Sequence, residues 1–143
     1  MTNVKSLNKW ANAHTYLSVD LVRIAVGVFL FSKGVTFITN IQYLVELLAP
    51  FDKSNGGMFG MFMVHYIASA HFLGGILIVF GLLTRWAIIA QLPILIGAVI
   101  INFLGEMHSQ NLIISLSLVA ICIFFLIYGS GKHSADYFFK MDE

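Results

Sequence analysis

Six side chains able to carry protons or bind polar groups fall toward one end of this chain's apolar segments: Lys33, His65, His71, Asn102, Glu106 and His108. Three more, Asp20, Arg23 and Arg85, fall toward the other end. An ionisable group inside a membrane span costs ~2.5–3.5 kcal/mol on insertion scales, so each is a candidate for function. The first set could form a site for a quinone- or lipid-like small molecule. His71 would hydrogen-bond a quinone carbonyl or carry its proton, Lys33 would stabilise the reduced anion, and Glu106 with His108 would exchange protons with the outside. The plainer reading of His71 is a core histidine bonded to a neighbouring backbone or hydroxyl group. Haem ligation is disfavoured, because six residues along a helix set His65 and His71 about 120° apart in azimuth and ~9 Å apart in depth, too far to clamp one iron. Glu106 and His108 are two loop residues, too few to specify a metal. The single Cys122 excludes disulfide frameworks and Cys-ligated zinc or clusters. G-x-S-x-G, Walker A, G-x-G-x-x-G and H-E-x-x-H motifs are all missing.

The elements that position these groups must be membrane helices. The chain is 59% hydrophobic and 10% charged, with a mean hydropathy of +0.88, whereas soluble domains run near ~45–50% apolar and ~25% charged. Its net charge of +1 is spread over dispersed lysines and arginines, which leaves no basic patch for nucleic acid. With roughly 20 residues per crossing, 143 residues predict one all-α membrane domain, a four-helix bundle over 1–143. Its spans fall at about 19–39, 58–83, 86–104 and 112–128. An amphipathic interfacial helix covers about 2–17, a short interfacial helix stopped by Pro50 lies between spans 1 and 2, and the aromatic tail 132–143 anchors at the interface. Thr84-Arg85 is expected to form the tight hairpin between spans 2 and 3. Pro93 falls inside span 3, where a neighbouring helix can satisfy the freed carbonyl. Lys5, Lys9, Arg85, Lys132 and Lys140 share one side, against Lys53 on the other. By the positive-inside rule both termini are cytoplasmic, with a bacterial inner membrane as the expected location.

Helical rise then sets depth. At ~1.5 Å per residue Lys33 lies about 20 Å from Asp20, and His71 about 21 Å from Arg85, so both fall in the outer half. In the inner layer Asp20 and Arg23 stand three residues apart and can pair on one helix face, while Arg85 anchors at the interface. Gly27 and Gly34 in span 1, and Ala70, Gly74 and Gly81 in span 2, form stripes for close helix contact, with Gly75 a further structural glycine. Arg23 shares the stripe 23, 27, 30, 34, which turns it into the bundle.

Two segments carry a family resemblance. HFLGGILIVFGLLTR, His71 to Arg85, resembles the signature of the DoxX-like membrane proteins: an ionisable residue, a Gly-Gly pair, a later Gly and a closing Thr-Arg. DLVRIAVGVFLFSKG, Asp20 to Gly34, is similar to that family's opening helix. The family often has glutamate where this chain has His71, and a lysine after the second glycine where Lys33 here precedes it. The resemblance implies a four-helix inner-membrane protein, some of whose relatives are subunits of quinone-linked oxidoreductases. Two functions follow as expectations: a quinone- or small-molecule-binding subunit of a membrane redox system, or a non-catalytic subunit whose small-residue faces dock a redox partner protein or a second copy of the chain. A small transporter is disfavoured by the lack of a clear internal repeat.

Overall fold

The computed structural model describes residues 17–49, 57–104, 109–131 and 133–139. The expected interfacial helix over 2–17, apart from Leu17, and the loops holding Lys53, Glu106 and His108 lie outside them. The described residues form six helices and no strand: α1 Leu17–Thr39, α2 Ile41–Leu48, α3 Met58–Phe80, α4 Thr84–Leu104, α5 Ser109–Tyr128 and α6 Ala135–Phe138. α1, α3, α4 and α5 run 20 to 23 residues with hydropathies from 1.7 to 2.5, long and apolar enough to cross a membrane. α2, with eight residues, is too short and follows α1 after one residue. That residue, Asn40, caps α2 by accepting from the Tyr43 N–H.

Helix ends differ from the expected boundaries where the backbone takes unusual conformations. α3 stops at Phe80 because Gly81 takes a left-handed conformation at φ +65° and Leu82 N–H bonds back to the Leu77 carbonyl. The turn is therefore Gly81–Leu83, with Leu83 also at positive φ (+48°). Thr84 and Arg85, expected to be the hairpin, are instead the first residues of α4. Their helix starts early because a carboxylate from the far end of the chain caps it, as described below. α1 and α5 also start two to three residues before the hydropathy boundaries, at Leu17 and Ser109.

α1 packs on α3, α3 on α4 and α4 on α5. The α1–α3 crossing is the closest, and glycines make it so. A Cβ on Gly27 would meet Val79, one on Gly34 would meet the Phe72 backbone, and one on Gly75 would meet the Phe31 backbone. The span 1 stripe therefore lies in the contact, but its counterpart on α3 is Gly75 and not the expected Ala70, Gly74, Gly81 stripe, whose Gly81 meets Ser134 beyond the end of the helix. Gly74 faces away from α1, toward Gln91 of α4. Val26, Leu30, Ile78, Ile88, Leu95, Cys122 and Phe125 fill the main core, drawn from all four long helices. A second cluster of Leu44, Val64 and Ala68 fastens α2 against α3. Large apolar side chains such as Leu21, Phe62, Trp86, Ile113 and Leu116 stay exposed on the outside, the surface that lipid covers.

Candidate functional site

Two polar layers are present, and their chemistry differs. In the layer beside the α3–α4 turn, the inner one by the expected orientation, Asp20 and Arg23 are 3% and 1% exposed. Arg23 Nη1 donates to Asp20 Oδ1 at 3.0 Å and to the Ser130 carbonyl, and Nη2 donates to the His133 carbonyl at 3.0 Å. His133 Nδ1 donates to the second Asp20 oxygen at 2.7 Å. The stretch after α5 therefore does more than rest on its aromatics. Tyr137, Phe138 and Phe139 are exposed, but Ser134 and Asp136 are buried. Asp136 takes the Leu83 N–H at 2.6 Å and the Thr84 N–H at 3.0 Å, and its own N–H bonds to the Gly81 carbonyl. A carboxylate at a helix N-terminus satisfies orphan donors and complements the dipole. Arg85 reaches the Ile127 carbonyl of α5. These bonds join the first span, the α3–α4 turn and α6, which is structural work. Asp136→Ala is expected to cost ~1–3 kcal/mol through the two stranded N–H groups, and Asp136→Asn less, since an amide oxygen still accepts. Thermal melting in detergent measures the order; equal melting of all three proteins would contradict the cap.

The layer farther from the α3–α4 turn, the outer one by the expected orientation, contains a cavity of about 350 Å³. α2 covers it with Leu44, Leu47 and Leu48, α3 contributes Met63, Tyr66, Ile67 and His71, and α4 contributes Pro93, Ile94, Gly97, Ala98, Ile101 and Asn102. The hollow follows from the sequence of α4. A Cβ added at Gly97 would touch nothing within 4 Å, so that turn sends no side chain inward. One turn earlier Pro93 withholds the N–H due to the Ile89 carbonyl, and the Tyr66 hydroxyl crosses from α3 to donate to the adjacent Ala90 carbonyl at 3.0 Å.

His71 stands at the deep end. It is 6% exposed, its Nδ1 donates to the Ile67 carbonyl at 3.0 Å, and Phe37 of α1 packs edge-on with ring centroids 5.3 Å apart. Asn102 stands at the outer end, its amide nitrogen donating to the Ala98 carbonyl at 2.8 Å and to Ser115 Oγ of α5 at 3.4 Å. Counting helical rise from the α3–α4 turn separates these two residues by roughly 13 Å of depth.

The structure thus brings His71 and Asn102 to one cavity but leaves Lys33 and His65 off it. Lys33 is exposed, with Nζ 5.7 Å from the Phe29 ring centre. His65 is exposed and bonded to the Met61 carbonyl of its own helix. The reason is azimuth: Lys33 is a third of a turn from the stripe that ends at Gly34, and His65 is a similar angle from His71. Among the described residues no three His, Cys, Asp or Glu side chains come together to hold a metal.

Tyr66, Phe37 and Gln91 were not singled out by sequence reasoning. Gln91 carried a legible signal, an amide two residues before Pro93 in an apolar helix. It is fully buried against Gly74, donating to the Ala70 carbonyl at 2.5 Å, and its Oε1 has no partner among the described residues.

A family model, DoxX, matches residues 18–104, more than half of the chain. The match takes in α1 to α4 and both walls of the cavity, and it ends before α5 and the docked tail. No curated protein and no solved structure matches the chain.

Proposed function

The chain belongs to the DoxX family, and from that premise we propose that it is a membrane subunit binding a quinone- or lipid-like small molecule in the outer cavity, within a redox system. One observation carries the reading: an apolar cavity inside a membrane-spanning bundle, with a buried histidine at its deep end. Its volume falls in the lower part of the range of ligand sites, ~300–1,000 Å³, which suits a ring head group whose tail extends into lipid. The cavity residues fit such a group. Leucines of α2 and the apolar face of α4 exclude water, Phe37 and His71 bound the deep end, and the open space at Gly97 admits a flat ring. A bound quinone would supply two-electron redox chemistry; the chain's part is to bind, orient and shield. By the charge bias we also place the termini in the cytoplasm, which sets the cavity in the periplasmic half of an inner membrane.

Solvent extraction of purified protein is expected to yield a ligand of the quinone/quinol class, and His71→Leu to reduce the yield at least about tenfold, the loss of ~1.4 kcal/mol of binding. Melting should move little, because the Ile67 carbonyl belongs to a helix turn that survives the substitution. If no such ligand is extracted and added quinone or quinol leaves melting unchanged, the ligand reading gives way to a ligand-free docking subunit.

A further inference from the structure

Every polar side chain on the cavity has already committed its protons elsewhere. His71 Nδ1 donates to the Ile67 carbonyl, which can only accept, so the neutral ring presents a lone pair at Nε2. Nε2 has no protein partner among the described residues. The Tyr66 hydroxyl gives its single proton to the Ala90 carbonyl, leaving oxygen lone pairs. Asn102 spends its amide on the Ala98 carbonyl and on Ser115 Oγ, and Ser115 in turn donates to the Asn111 carbonyl at 2.7 Å. That chain fixes Asn102 Nδ2 as the donor and leaves Oδ1 to accept. Three side chains from two helices therefore offer Nε2, Oη and Oδ1, all acceptors, set in otherwise apolar walls.

We infer that the cavity selects ligands that bring hydrogen-bond donors, so that the hydroxyl-bearing reduced head group, a quinol, is its ligand in preference to the quinone. This rests on the reading that the cavity is the ligand site. A quinone carbonyl placed against Nε2 faces lone pair with lone pair and leaves both polar atoms unpaired in a dry site, whereas a quinol hydroxyl donates to Nε2 directly. The asymmetry follows from the high cost of leaving buried polar atoms unpaired.

Three probes on the full-length chain in nanodiscs test it: a short-chain benzoquinol kept reduced under anaerobic conditions, the corresponding quinone, and the di-O-methyl ether of the quinol. Binding is read by calorimetry. The quinol is expected to bind at least about tenfold more tightly than either of the others, and His71→Leu to erase most of that preference while leaving the ether's affinity unchanged. Gly97→Leu, which fills the hollow, should weaken all three. Quinone binding as tight as quinol binding, with both weakened by Gly97→Leu, would overturn the donor preference and leave the cavity as the site. Binding of all three that Gly97→Leu does not change, or binding of none, would overturn the site reading and the preference together. The comparison of the three probes on the unsubstituted protein stands even if a variant fails to fold.

Discussion

Protein carrying Gly34→Ala is expected to melt roughly 10 °C lower than the unsubstituted chain, while Gly97→Ala melts at the same temperature or slightly higher. The two substitutions add the same methyl group to a helix glycine, so helix propensity favours alanine by ~1 kcal/mol in both. What differs is the space. At Gly34 the new Cβ would lie 2.5 Å from Phe72 Cα, 2.8 Å from the His71 carbonyl carbon and closer still to the Phe72 nitrogen, all of them backbone. No side-chain rotation can relieve that contact, so α1 and α3 must separate along their closest crossing. Overpacking costs ~1–3 kcal/mol and occasionally more, and here the upper end applies, which converts to the stated shift for a chain of this size. At Gly97 nothing lies within 4 Å. Equal melting of the two variants would show that the crossing is not held as tightly as its geometry implies. Because Phe72 adjoins His71, Gly34→Ala should also weaken ligand binding.

Arg23→Ala is expected to destabilise by ~3–5 kcal/mol, the cost of breaking a buried pair by removing one partner. Asp20 would remain 3% exposed with only His133 against it, and the Ser130 and His133 carbonyls would lose their donor. Adding Asp20→Asn should recover part of the loss, since it removes the stranded carboxylate, but not the part due to the carbonyls. Arg23→Lys should fall between, because one ammonium cannot reproduce the guanidinium fork that serves a carboxylate and two carbonyls at once. Melting in detergent ranks the four proteins, and proteolysis around residue 133 reports whether the tail has come loose. Were Arg23→Ala to keep full stability yet abolish quinol binding, the inner layer would be the site and the outer cavity would have been misassigned.

Hydropathy located all four long helices to within three residues at each end, because a run of about 20 apolar residues has few other uses. The Asp20–Arg23 pair was also legible, being a three-residue spacing on one helix. Depth along the helices could be read as well, which is why His71 and Asn102 were grouped, and both line the cavity. Azimuth was the weak link. Lys33 and His65 share the depth of the cavity but not its face, although the helical angle between His65 and His71 was already available and argued against grouping them. The cap by Asp136 left no local trace: its partners are 52 and 53 residues away, and nothing in SADYFF announces a carboxylate that caps another helix. The cavity was equally hidden, since it depends on what Gly97 omits and on where an eight-residue helix comes to lie.

The docked tail also dictates an order of assembly. Arg23 enters the membrane with the first helix, yet the Ser130 carbonyl that receives it is 107 residues further along the chain, and the His133 carbonyl 110. Until the ribosome has delivered that stretch, the first helix holds a guanidinium with Asp20 as its only bonded partner, and the fourth apolar helix has no latch to the first. A nascent chain stopped before residue 130 would therefore have all four long hydrophobic helices and still leave the Arg23 guanidinium without two of its three acceptors at one edge of the bundle. Such an incomplete product differs from the finished protein by a feature that membrane proteases and insertion chaperones can read.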